Sequence, residues 1–168
     1  MKIEIGSETP DNIADIRAVI LSAFLQAPHT SHTEQFIVDS LRKAGQLAVS
    51  LVATADGAVV GHVAISPVSI SDGATGWYGL GPISVAPEYQ RRGIGSRLMH
   101  EALRVLQGRG ASGCVLLGEP QYYNRFGFRV DPKLNLPSVP AEYFLALSFG
   151  ASRPQGTVSY HSAFNESM

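Results

Sequence analysis

The stretch Gln90–Arg91–Arg92–Gly93–Ile94–Gly95–Ser96 sets two adjacent arginines against a pair of glycines, directly ahead of a helical pattern. Glycine weakens helices, so its presence at a helix start needs a reason. One reason is chemical. A helix N-terminus carries unpaired N–H groups and a positive dipole end, and glycine lets a ligand approach the backbone closely. Together these take an anion, most naturally a phosphate, with Arg91 and Arg92 adding charge and Ser96 a hydroxyl. The other reason is an ordinary glycine-assisted turn bearing two solvated arginines. Spacing excludes two common phosphate motifs. No lysine follows the glycines as a P-loop requires. The dinucleotide fingerprint follows an early parallel strand, whereas the segment before Gln90 closes an antiparallel meander.

The elements that must position this junction follow from hydrophobic period. "KIEI" alternates as a short strand. Ile13, Ile16, Ile20 and Phe24 recur on one helical face, with Thr9 as cap and Pro10 at the first helical position. After the loop "QAPHTSH" a second helix is expected from about Thr33 to Ala44, with Ser31 and Glu34 as a capping box and Gly45 as its stop. The period then changes. "LAVSLVAT", "VVGHVAIS" and "GWYGLGPISV" are rich in β-branched residues, and "ADGA" is a hairpin signal, so an antiparallel meander is expected. Pro82 cannot donate to a ladder, which predicts a bulge or break at Gly81–Pro82. A helix follows from about Gly93 to Gln107, with Ile94, Leu98, Ala102 and Val105 on one face. "GCVLLG" is a buried strand and "PQYYNRF" a short helix broken by Gly127; "FRV", "FLALSF" and "TVSYH" are later strands. The sum is one α+β domain over residues 1–168, a mixed sheet with helices on its faces.

Composition narrows the function classes. At 168 residues the chain can bury roughly two-thirds of its unfolded surface. With 13 basic and 14 acidic residues it lacks the basic excess of a general nucleic-acid binder, so no nucleic-acid partner is expected. The single cysteine, Cys114 in "CVLL", is expected to be a buried core thiol. No run reaches the roughly 20 apolar residues of a membrane span, and "MKIEIGSETP" is no signal peptide. No membrane partner and a cytoplasmic location are the expectations.

The same residues carry a family resemblance. Gln90–Arg91–Arg92–Gly93–Ile94–Gly95 matches the Q/R-x-x-G-x-G/A signature of the GNAT superfamily of acyl-CoA-dependent N-acetyltransferases. "ISVAPEY" before it, the amphipathic helix after it, "YYNRFGF" further on and the order of elements are similar to that family too, over nearly the whole chain. "LGPISVAPEYQRRGIG", "VLLGEPQYYNRFGF" and "GTVSYHSAF" resemble a branch of small bacterial acetyltransferases. The resemblance implies a GNAT fold: a mixed, mostly antiparallel sheet splayed at a cofactor wedge and flanked by about four helices. It implies transfer of an acetyl group from acetyl-CoA to a primary amine by direct attack on the thioester, with no metal. The amine belongs to a small molecule or a peptide. A non-catalytic acyl-CoA-binding or sensor module is the alternative, and a homodimer through exposed late strands stays open.

Residue by residue, the resemblance implies that the amides of Gln90, Arg91, Arg92, Gly93, Ile94, Gly95 and Ser96 bind the pyrophosphate of acetyl-CoA. It implies that the pantetheine arm pairs with the backbone of Ile83, Ser84 and Val85, whose side chains also suit a core. Tyr123, four residues before Gly127, would protonate the departing thiolate, since a phenol with a pKa near 10 holds its proton at neutral pH. Packing with Tyr122 and Phe126 is the other use of that ring. Asn124 would bond the cofactor arm or cap the turn before Gly127. The amine must also lose a proton. Glu34, Glu119 and His62 are the available groups, and each has a purely structural use: a capping box, a charge at a helix start, a satisfied strand histidine.

Overall fold

A computed structural model describes residues 2–25 and 33–165. The loop 26–32, and with it the Ser31 half of the expected capping box, lies outside the described residues. The strands are β1 (Ile3–Ser7), β2 (Val49–Ala55), β3 (Ala58–Pro67), β4 (Ser69–Ile70), β5 (Trp77–Val85), β6 (Gly113–Leu117), β7 (Arg129–Val130), β8 (Leu134–Asn135), β9 (Phe144–Ser148) and β10 (Gly156–Ser159). The helices are α1 (Ile13–Phe24), α2 (Glu34–Lys43), α3 (Ile94–Gly108) and the short α4 (Pro120–Tyr123).

The main sheet runs in the order β1-β2-β3-β5-β6-β9-β7, and all its pairs are antiparallel except β5–β6. The expected meander is β2-β3-β5. Its first turn has Asp56 at φ 49° and Gly57 at φ 91°, the left-handed pair that a tight hairpin needs and "DG" supplies. "TVSYH" does form a strand, β10, but not in the main sheet: it pairs with β4 and β8 in a separate small sheet. Two-residue strands such as β4 and β8 are too short for a period-2 pattern to announce.

Alternation along the strands gives each face of the main sheet its cover. On one face, Leu51, Val63 and Ile65 meet Leu98, Met99, Ala102 and Leu106 of α3, all buried. Each of those large side chains contributes about 2 kcal/mol by leaving water. On the other face, Val52 and Ala64 meet Ile16, Val19 and Ile20 of α1 and Val38 of α2. A third cluster around Trp77, Val115, Phe144 and Val158 joins the small sheet to the main one. The burial of Trp77 depends on Gly113, since a side chain there would overlap the indole. Cys114 is fully buried, and burial pushes its thiol up, as befits an inert core residue. Among the described residues no helix is long and apolar enough to cross a membrane.

Candidate active site

The site is organised by β5. On one side β5 pairs with β3 from Gly61↔Val85 to Val63↔Ile83 and again from Ile65↔Leu80 to Pro67↔Tyr78, so Gly81 and Pro82 together oppose Ala64 alone. This is the break that the proline predicts. On its other side β5 pairs with β6 only at Trp77↔Gly113, Tyr78↔Cys114 and Gly79↔Val115. Beyond Gly79 the two parallel strands separate and leave a wedge with an unpaired β5 edge. The Ala86 amide donates toward β3, to the Val60 carbonyl at 2.8 Å. Backbone groups alternate sides along a strand, so Ser84 also faces β3 while Ile83 and Val85 face the wedge. Gln90 agrees with that direction: its Nε2 donates to the Val85 carbonyl at 2.9 Å.

At the far end of this edge the chain turns into α3. Arg91 (φ 65°) and Gly93 (φ 80°) both adopt the left-handed region. Glycine does so freely; an arginine there stores strain of order 1–3 kcal/mol, of the kind that collects at ligand sites. Gly93 is the N-cap of α3 and makes no side-chain cap hydrogen bond, so the amides of Ile94, Gly95 and Ser96 project from the first turn without an intrahelical partner. They open onto a cavity of about 450 Å³ lined also by Val85, Tyr89, Gln90, Arg91, Tyr122 and Arg125. A Cβ on Gly95 would sit 3.6 Å from the Tyr122 hydroxyl and 3.9 Å from Val85. The fold tolerates that methyl, but it would stand in the cavity. The free amides, the positive helix end and the arginines fit a pyrophosphate in both charge and donor geometry.

Nearby side chains divide in their placement. The Arg92 guanidinium lies 5.4 Å from the centre of the Tyr89 ring and is not in the cavity lining. Arg125 is in the lining: its guanidinium lies 4.4 Å from the centre of the Tyr122 ring, and its Nε donates to the Tyr122 carbonyl at 2.9 Å. The Tyr123 ring closes over Gly118, where any side chain would collide with it, and meets Tyr122 edge-on at 4.8 Å. Burial, aided by Tyr122, pushes the Tyr123 phenol up to about 12. It is therefore protonated throughout the neutral range, the state of an acid rather than a base. Asn124 is exposed, and its backbone carbonyl accepts from the Gly127 amide at 3.0 Å and from Arg129 Nη1 at 2.8 Å. Neither Tyr123 nor Asn124 lines the cavity at α3.

A second, larger cavity of about 560 Å³ adjoins the other end of the same β5 segment. Leu80, Gly81 and Pro82 form its floor, Leu117 closes β6 beside it, and α2 contributes Glu34 and Ile37. Gly79, next to this floor, carries no side chain, and a Cβ there would lie 2.6 Å from the ring of Tyr160, another lining residue.

Residues 46–130 match the Acetyltransferase (GNAT) domain family. The chain belongs to the GNAT acetyltransferases. It is 33% identical over 152 residues to the uncharacterized N-acetyltransferase YhbS of Escherichia coli strain K12, across 86% of this chain and 91% of that protein. Among solved structures, a GNAT family acetyltransferase from Brucella melitensis in complex with acetyl-CoA superposes with a TM-score of 0.87 and is 47% identical, covering 97% of this chain and 98% of that one. Escherichia coli YhbS in complex with CoA gives a TM-score of 0.86 at 29% identity, covering 99% of this chain and 93% of that one.

In this GNAT acetyltransferase the groups that could take the amine's proton separate clearly. His62 is fully buried under α1 and α2, in a chain with Ser50 and Glu8. Ser50 donates to the Glu8 carboxylate and its oxygen lies 2.8 Å from His62 Nε2, so the neutral ring carries its proton on Nε2. Arg42 clamps Glu8 through Nε at 2.9 Å and Nη2 at 2.8 Å. Burial lowers His62 to about 4, against a partial opposing pull from Glu8. It is a neutral structural histidine, as strand histidines usually are. Glu119 is the exposed N-cap of α4, without a cap hydrogen bond, and lines neither cavity. Glu34 alone of the three lines a cavity. Tyr89, Tyr122 and Arg125 in the cradle, and Tyr160 and His161 in the larger cavity, escaped the sequence reading. Tyr89 stood in view inside "ISVAPEY", and Tyr122 and Arg125 inside "YYNRFGF", without a site role; Tyr160 and His161 had no spacing signal that ties them to the other lining residues.

Proposed function

We propose that the chain transfers an acetyl group from acetyl-CoA to a primary amine by direct attack, with the cavity at α3 holding the cofactor's phosphates and the larger cavity holding the amine. The observation that carries this reading is the β5 edge from Leu80 to Val85, which β6 leaves unpaired and whose two ends line the two cavities. Acetyl-CoA supplies an activated thioester. The first-turn amides of Ile94, Gly95 and Ser96, with Arg91 and Arg125, hold the pyrophosphate. Gln90 keeps the Val85 carbonyl occupied and so fixes the exit of the edge into the cradle. Ile83 and Val85 offer amides toward the wedge, where they pair with the pantetheine arm and stabilise the oxyanion as the amine adds; Ser84 supports them through β3. Arg92 and Asn124 act at the rim.

The amine attacks as its free base; as the C–S bond breaks Tyr123 gives its proton to the departing sulfur, the nitrogen sheds its extra proton to solvent, and solvent reprotonates Tyr123. Its raised pKa keeps the proton in place until that bond breaks, and the burial responsible also disfavours a bare thiolate beside it, which narrows the gap between donor and acceptor. The acceptor is a small-molecule or peptide amine. We read residues 1–168 as one domain, and a cytoplasmic location suits both the donor and the lone free thiol of Cys114. The test is CoA-thiol release over an amine panel. Release that depends on an amine and drops on Tyr123→Phe supports the reading; amine-independent or absent release defeats it.

A further inference from the structure

The walls of the larger cavity restrict which amine can sit there, an inference that rests on the transfer reading above. Its volume, about 560 Å³, suits a small molecule. Most of the wall is hydrocarbon, from Phe24 and Ile37 across to Leu117, Leu136, Val139 and Phe164. Glu34 is the one carboxylate in that lining, and no lysine or arginine lines it among the described residues. Glu34 is half-buried, so its charge is screened less than that of a surface carboxylate. Among the described residues, the only other titratable side chains in the wall are Tyr160 and His161. His161 Nδ1 accepts the Ala163 amide at 2.9 Å, which leaves the neutral ring a donor at Nε2, without a lone pair there for an amine proton.

This wall disfavours three kinds of amine. A free amino acid brings a carboxylate that meets Glu34 and finds no lysine or arginine in the lining among the described residues. A polyamine brings several ammonium groups to a single carboxylate, and an aminoglycoside adds many hydroxyls that hydrocarbon cannot satisfy. We propose that the acceptor is a small primary amine on an apolar body, an alkylamine or phenylalkylamine, its ammonium directed to Glu34 and its body against Ile37, Leu117 and Phe164. Glu34 is thereby a specificity-determining residue.

The test is calorimetric titration of the CoA-bound protein with 2-phenylethylamine, phenylalanine, spermidine and a phenylalanyl-alanine amide peptide, beside a thiol-release assay with the same amines. Phenylethylamine is expected to bind at least about tenfold more tightly than phenylalanine, from which it differs by one carboxylate, and than spermidine. Glu34→Gln should weaken phenylethylamine about tenfold while leaving the uncharged 2-phenylethanol unchanged. Equal or tighter binding of phenylalanine, spermidine or the peptide overturns the proposal, as does an amine affinity that ignores Glu34→Gln. Because the ligand comparison is made on the wild-type protein, a variant that fails to fold does not remove the test. No thiol release with any amine overturns the transfer reading instead, while the binding order still decides which amines the cavity takes.

Discussion

The cradle at α3 and the larger cavity stand at two ends of one strand edge and are built from different material. The cradle is mostly backbone: free amides of one helix turn, a left-handed arginine and a glycine kept small. Its parts come chiefly from one continuous stretch, with Tyr122 and Arg125 added from a second. The larger cavity is mostly side chains, drawn from α1, α2, β5, β6 and two later segments. A backbone site resists most substitutions and fails at its glycines. A side-chain site can be rebuilt by changing residues while the fold stays the same. The second kind of site is the one that can change while the architecture is kept, since fold alone does not choose the substrate.

The comparison can be broken or sharpened by experiment. The largest effect is expected at the proposed acid. Tyr123→Phe should lower kcat by about 10²- to 10⁴-fold, the usual worth of a general acid, with little change in CoA affinity; steady-state kinetics beside CoA titration would show it, and a matching loss of CoA binding would recast Tyr123 as a packing residue. Next comes acid. The unfolded chain protonates His62 near pH 6.5 and the fold only near pH 4, so between these values the unfolded state binds more protons and stability falls as pH drops. The loss is on the order of 3 kcal/mol, complete below about pH 4. Glu8 acts in the same direction. Burial alone would raise it, but hydrogen bonds from Arg42 and Ser50 hold it below 4.5, so its contribution is lost as pH falls below that value. Arg42 and Asp39 belong to α2, and Arg17 of α1 reaches Asp39 at 2.7 Å, so this network anchors the helices that wall the larger cavity. Denaturant unfolding from pH 7.5 to 4 should show the decline, and His62→Leu should flatten it.

Gly95→Ala tests the backbone character of the cradle. CoA affinity should fall about 10- to 100-fold, as one or two charge-assisted hydrogen bonds are lost, while the melting temperature holds or rises because alanine favours helices. Unchanged CoA binding would mean that the phosphates lie elsewhere. The smallest effect belongs to a cradle side chain. Arg125→Ala should weaken CoA about threefold, and less at high salt, because an exposed guanidinium is screened. A much larger loss would show that side chains share the work of the amides.

Much of this was legible in the residues themselves. The period of "DIRAVI" and "IGSRLMHEAL", the "DG" hairpin and the proline at position 82 each act locally, so α1, α3, the meander and the bulge follow from covalent and steric rules over a few residues. The cradle was legible for the same reason: its donors are consecutive amides. The larger cavity was not. Phe24, Glu34, Leu117 and Phe164 are far apart in the chain and share no spacing, and Glu34 looks like a capping residue until the fold turns it toward a cavity. The placement of "TVSYH" in a second sheet and the chain from Glu8, just after β1, through Ser50 of β2 to His62 of β3 also depend on pairings between distant segments. By itself the sequence determined where an anion can be held, because that site is local backbone. Only the tertiary structure decided what walls the larger cavity, because that wall exists only once strands and helices distant in the chain have packed.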